Sequence, residues 1–67
     1  MLEAIKAAEN ALKRANRYMK NGVEKDLAYT IVRNEYSDLK TIQHEIDLDY
    51  MERLCKIKLR IEKTFNI

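Results

Sequence analysis

Sixty-seven residues with 13 Lys/Arg, 11 Asp/Glu, one His, one Cys, one Gly and no Pro make one domain at most. Such a chain buries only about 60% of the surface its unfolded form exposes. A single cysteine cannot form an internal disulfide, and a single histidine without cysteine partners cannot complete a tetrahedral metal set; self-association is the remaining support for so small a core. The absence of Pro and the single Gly, beside abundant Ala, Leu, Lys, Arg and Glu, exclude a turn-rich β fold and predict an all-α chain.

The net charge of +2 hides an uneven distribution. Residues 1–22 hold five Lys/Arg against two acids, residues 23–49 three against seven, and residues 50–67 five against two, giving +3, −4 and +3. An acidic middle between basic flanks suits three antiparallel segments with opposite charges at their borders. Exposed pairs contribute only about 0–1 kcal/mol each, so their expected effect is to select neighbours. No run approaches the roughly 20 apolar residues of a membrane span. Glu3, Lys6, Glu9 and Asn10 interrupt the stretch where a signal peptide would be apolar. A cytoplasmic protein with no membrane association is expected, and the lone thiol suits a reducing compartment.

The first predicted helix covers residues 2–20. Met1, Ala4, Ile5, Ala8, Ala11, Leu12, Ala15, Tyr18 and Met19 share one side, with Lys6, Glu9, Lys13, Arg17 and Lys20 opposite. Its four inner alanines invite a neighbouring backbone to approach closely. Asn21-Gly22 ends it, because both residues tolerate the left-handed conformation that closes a helix. Asn21 with Glu24 three residues later also resembles a capping arrangement for the next helix, making Asn21-Gly22-Val23 a tight connection.

The second predicted helix runs over residues 24–46. Ala28, Ile31, Val32, Leu39, Ile42 and Ile46 form its apolar stripe, Tyr29 and Tyr36 flank it, and Glu35 falls in its middle. No residue between Lys25 and Lys63 forces a stop. A break near residues 46–49, capped by Asp47 or by Asp49 with Glu52, gives a three-helix bundle. A stutter in the apolar rhythm there instead gives a helical hairpin whose second helix is about 40 residues, roughly 60 Å, long. Either form is expected to assemble as a dimer.

The third predicted helix, residues 49–64, bears two stripes. Tyr50, Met51, Leu54, Ile57, Ile61 and Phe65 share one side, while Leu48, Cys55 and Leu59 gather roughly opposite. One stripe closes the chain's own core and the other needs a further neighbour. Cys55, Ile57, Leu59, Ile61, Phe65 and Ile67 also alternate with polar residues, a half-buried strand's signature. The helix is the preferred reading because no other segment offers a strand to pair with.

Chemistry-bearing residues are few. Glu35, within an apolar stripe, is either a carboxylate with raised pKa or, the preferred reading, half of an ion pair that fixes register. His44, Glu45 and Asp47 are spread around a helix and read as a solvated patch. Cys55 reads as a small packing residue despite Arg53, Lys56 and Lys58 nearby. No catalytic motif or Gly-rich phosphate loop is present, so no catalytic, cofactor-binding or metal site is expected. Tyr18, Tyr29, Tyr36 and Tyr50 are expected at the rim of the core. The preferred function is protein–protein binding by a homodimer, as a small regulator, inhibitor or adaptor of the kind a virus or mobile element encodes, with Tyr29, Tyr36, Leu48, Cys55 and Leu59 as contact residues. The rival is a nucleic-acid-associated regulator using Lys13, Arg14 and Arg17 of the first helix with Lys56 and Arg60 of the last.

Overall fold

The structure, a computed structural model, describes residues 2–42 and 47–67, the side chain of Leu2 apart. Its helices are α1 (Leu2–Lys20), α2 (Lys25–Thr41) and α3 (Leu48–Phe65). The expected inward positions of Met1 and Ile46, and the patch at His44 and Glu45, lie outside the described residues.

The end of α1 and both ends of α3 have local causes. At the end of α1 the Gly22 N–H donates to the Met19 carbonyl (3.1 Å) and the Val23 N–H to the Tyr18 carbonyl (2.9 Å). Gly22 itself sits at φ +97°. This pair of bonds around a left-handed residue satisfies carbonyls the helix would otherwise leave orphaned. Asn21 is engaged in that closure, its N–H directed at the Arg17 and Tyr18 carbonyls. The expected Asn21 cap on α2 is therefore corrected: Glu24, extended at φ −63°, ψ 149°, is the N-cap and makes no side-chain cap bond.

The second helix stops earlier than the expected residue 46. Ile42 has left the helix at φ −74°, ψ 115°, and the Thr41 hydroxyl donates to the Asp38 carbonyl at 2.7 Å. Neither this bond nor the β-branched pair Thr41-Ile42 stops a helix by itself, since Thr30-Ile31-Val32 carries both features inside α2, with the Thr30 hydroxyl on the Leu27 carbonyl at 2.6 Å. The third helix opens on Asp47, whose carboxylate accepts from the Asp49 N–H at 2.9 Å. It closes at Asn66 in the left-handed region, φ 59°, ψ 49°. Helix through Phe65 removes the strand reading of residues 55–67: their alternation belongs to a helix whose buried side happens to include odd-numbered positions.

The helices form a three-helix bundle, which excludes the continuous second helix. Tyr29 near the start of α2 packs on Phe65 at the end of α3, ring centroids 5.3 Å apart, so these two helices are antiparallel. α1 and α2, joined by the short Gly22 turn, are antiparallel as well, and α1 and α3 therefore run parallel. Glu9 in α1 meets Arg53 in α3 at 3.0 Å, at matching heights along their helices.

The core consists of Ile5, Ala8, Ala11, Leu12 and Ala15 from α1, Ala28, Val32, Tyr36 and Leu39 from α2, and Tyr50, Leu54, Ile57, Ile61 and Phe65 from α3. Complete burial of an Ile or Leu stabilises by roughly 1.5–3 kcal/mol. The larger fully buried aliphatics, among them Leu12, Leu39, Ile57 and Ile61, come from all three helices. Backbones approach most closely between α1 and α2, and Ala8, Ala11 and Ala15 of α1 and Ala28 of α2 are all fully buried. Small side chains there leave backbone-to-backbone dispersion to replace bulk.

Candidate functional site

The outer side of α3 carries the exposed stripe. Leu48 is 85% exposed and Leu59 57%, and Cys55 between them is an exposed free thiol. At about 100° per residue the three fall within roughly 40° of one another. They span about 16 Å along the helix at 1.5 Å per residue. On the opposite side Tyr50, Leu54, Ile57, Ile61 and Phe65 are buried. Glu52 and Lys56, paired at 3.5 Å, border the stripe. Cys55 does not pack inside its own chain, contrary to the reading of it as a small packing residue.

The two tyrosines expected beside this stripe sit elsewhere. Tyr36 belongs to the chain's core, and its hydroxyl donates to Glu62 Oε2 at 2.6 Å. It is therefore corrected from contact residue to core residue, and the reason is a rotation of α2. Burial of the Tyr36 ring removes apolar surface from water, whereas burial of the adjacent Glu35 carboxylate would cost its hydration. The helix accordingly centres its buried side on Val32, Tyr36 and Leu39, while Glu35 moves from the middle of the stripe to its half-buried edge. Among the described residues Glu35 makes no ion pair, so the expected register pair is absent there.

The Tyr36 hydroxyl is held in its neutral form. Its hydrogen bond to Glu62, together with burial and the negative charge of that carboxylate, pushes its pKa up to about 12. The Lys40 ammonium lies over the same ring, 4.8 Å from its centroid, one turn along α2. Tyr36 thus ties α2 to α3 with both its ring and its hydroxyl.

Tyr29 is half-buried at one end of the bundle, where it lines a shallow cleft of about 240 Å³ with Lys25, Asp26, Phe65 and Ile67. Sequence patterning gave no sign of this cleft, because its walls come from the start of one helix and the end of another. It also gave no sign of Leu27, which is 61% exposed on α2 and stands off the apolar stripe. Tyr18, placed on the inner side of α1, is 48% exposed.

Lys13, Arg14, Arg17, Lys56 and Arg60 are all exposed. They do not share one face. Glu9 marks the side of α1 turned to α3, and rotation at about 100° per residue puts Lys13 and Lys20 within about 40° of it but Arg14 about 140° away, toward α2. The expected pairing of acidic α2 with its basic neighbours is also not what the ion pairs display. Among the described residues one bridge links helices, Arg53 with Glu9, and it joins the two net-basic segments.

No group of three or more His, Cys, Asp or Glu side chains among the described residues is arranged to hold a metal ion. None of the described helices is long and apolar enough to cross a membrane. No protein-family model matches the chain, and no curated protein or solved structure is detectably similar to it.

Proposed function

We propose that this chain is a small non-enzymatic protein that acts by protein–protein binding in the cytosol, as a regulator, inhibitor or adaptor, and that its first partner is a second copy of itself. One observation carries the reading. Leu48 and Leu59 stand in water on a helix whose other side already completes the core. Scattered exposed leucines are ordinary, but two on one line with Cys55 between them form a seam.

The chemistry along the seam favours self-pairing. If α3 packs antiparallel on its copy with Leu48 of one against Leu59 of the other, Glu52 of each chain comes level with Cys55 and Lys56 of the other. The Glu52–Lys56 pair, now intramolecular at 3.5 Å, then extends into a network of four charges bordering an apolar centre. Tyr29 and the cleft beside it remain on the end of each protomer, available to a foreign protein. Concentration tests the pairing, because only an associating chain gains stability from mass action. The melting temperature is expected to rise by several degrees between about 5 and 500 μM. A melting temperature independent of concentration would oppose a second copy as the occupant.

A further inference from the structure

The parallel run of α1 and α3 gathers cations that the amino-acid order keeps some forty residues apart. From Lys13 to its end α1 holds no carboxylate, and from Arg53 to its end α3 holds one, Glu62. Glu62 is turned to Tyr36 on α2. The Arg53–Glu9 bridge fixes which sides of the two helices meet. Rotation at about 100° per residue from those two positions brings Lys13, Arg17 and Lys20 of α1 and Lys56, Arg60 and Lys63 of α3 to the solvent side of one seam. All six are exposed. Only Lys56 has an ion-pair partner among the described residues, the exposed Glu52. The acids that open α2 at the same end, Glu24 and Asp26, pair with none of them.

We propose that this seam binds the phosphate backbone of a nucleic-acid duplex without reading its sequence. Lys13 and Lys20 are seven residues apart, as are Lys56 and Lys63, so each pair repeats every two turns, about 10.5 Å. Two such rows flanking one interhelical groove give a stripe of positive charge about as long as several base pairs of duplex. The neutral polar residues nearest the seam on α1, Asn10 and Asn16, are exposed and can hydrogen-bond to phosphate or sugar oxygens. No aromatic side chain lies on it, so it lacks the stacking platform that single strands use. The exposed Leu48 and Leu59 lie about 100–120° from Arg60 around α3 and border the seam only at its outer edge, beside Lys56 and Lys63, so no apolar anchor of the membrane-surface kind runs along its centre. This surface adjoins the Leu48–Leu59 stripe at Lys56 and Lys63, while Arg60 and the α1 row of Lys13, Arg17 and Lys20 lie clear of it with one chain or two.

The test is fluorescence anisotropy with a labelled 20-base-pair duplex of arbitrary sequence. Binding is expected at micromolar protein in 50 mM salt, insensitive to sequence, and weakened about 100-fold or more at 200 mM, as release of several counterions requires. The double variant Lys13→Glu/Arg60→Glu should weaken binding at least tenfold with helix content and mass unchanged. Lys25→Glu/Arg33→Glu, an equal charge change on α2, should have several-fold less effect. Equal loss in both variants would show a response to net charge and overturn the assignment, as would absence of binding at 50 mM salt. Tight binding to anionic phosphatidylserine vesicles in place of the duplex would overturn it too. Neither result depends on Leu59, so failure here leaves the self-pairing of α3 to its own experiment.

Discussion

At the level of single residues, Tyr36 shows how one side chain decides the setting of a helix. Its ring is buried and its hydroxyl reaches Glu62 at 2.6 Å, so Tyr36→Phe should keep the packing and lose the bond. A cost of about 1 kcal/mol is expected, or about 4–8 °C in melting temperature for a domain this size. The pH dependence follows from the raised pKa. The phenol keeps its proton in the folded state up to about pH 12 and loses it near 10 when unfolded. The bond's contribution is thus complete below pH 10 and is lost as pH rises from 10 through about 12. Denaturant titrations across that interval should show a fall in stability that is shallower in Tyr36→Phe; equal slopes would contradict the assignment. Gly22 is the second such residue. Nothing lies within 4 Å of where its Cβ would be, so Gly22→Ala costs only backbone strain at φ +97°, about 1–2 kcal/mol. A thermal melt checks it, and an unchanged midpoint would refute the left-handed closure.

At the level of helices, much was legible because period and composition agree. The alanine side of α1 and the two-sided pattern of α3 could both be read from spacing, and burial follows them: Ile5, Ala8, Leu12 and Ala15 on one helix, Leu54, Ile57 and Ile61 on the other. The rotation of α2 could not be read. Glu35 and Tyr36 are adjacent, and only the neighbours decide which of them turns inward. The stop at Thr41 was hidden for a related reason, since no Gly or Pro marks it and the hydroxyl bond there recurs at Thr30 inside the helix. The contact of Tyr36 with Glu62, 26 residues apart, has no local signal at all. The close approach of α1 to α2 carries its own test. Ala11 is fully buried, and Ala11→Leu should destabilise by about 1–3 kcal/mol through overpacking, measured by chemical denaturation. A neutral result would mean that the helices stand further apart than their alanines allow.

At the level of the whole molecule, the bundle measures 40 × 18 × 16 Å, and so slender a body leaves each helix a long wet side. Those sides differ in chemistry: an apolar line on the outside of α3, and a cationic seam between α1 and α3. Two functions can therefore be carried on largely different residues, with Lys56 at the border of both. The charge pattern read along the chain was correct in its segments but not in its consequence. The one interhelical ion pair among the described residues joins like-charged helices, Glu9 to Arg53, because spatial neighbours in a three-helix bundle include the first and last elements. The exposure of Leu48 and Leu59 remains the observation on which the proposed function turns. Sedimentation equilibrium of the wild-type chain beside Leu59→Glu at micromolar concentration addresses it most directly. The wild type is expected at twice its chain mass of 8.0 kDa, and the variant at a single chain mass with unchanged helix content. A wild type with the mass of one chain, or a variant that stays paired, would contradict it.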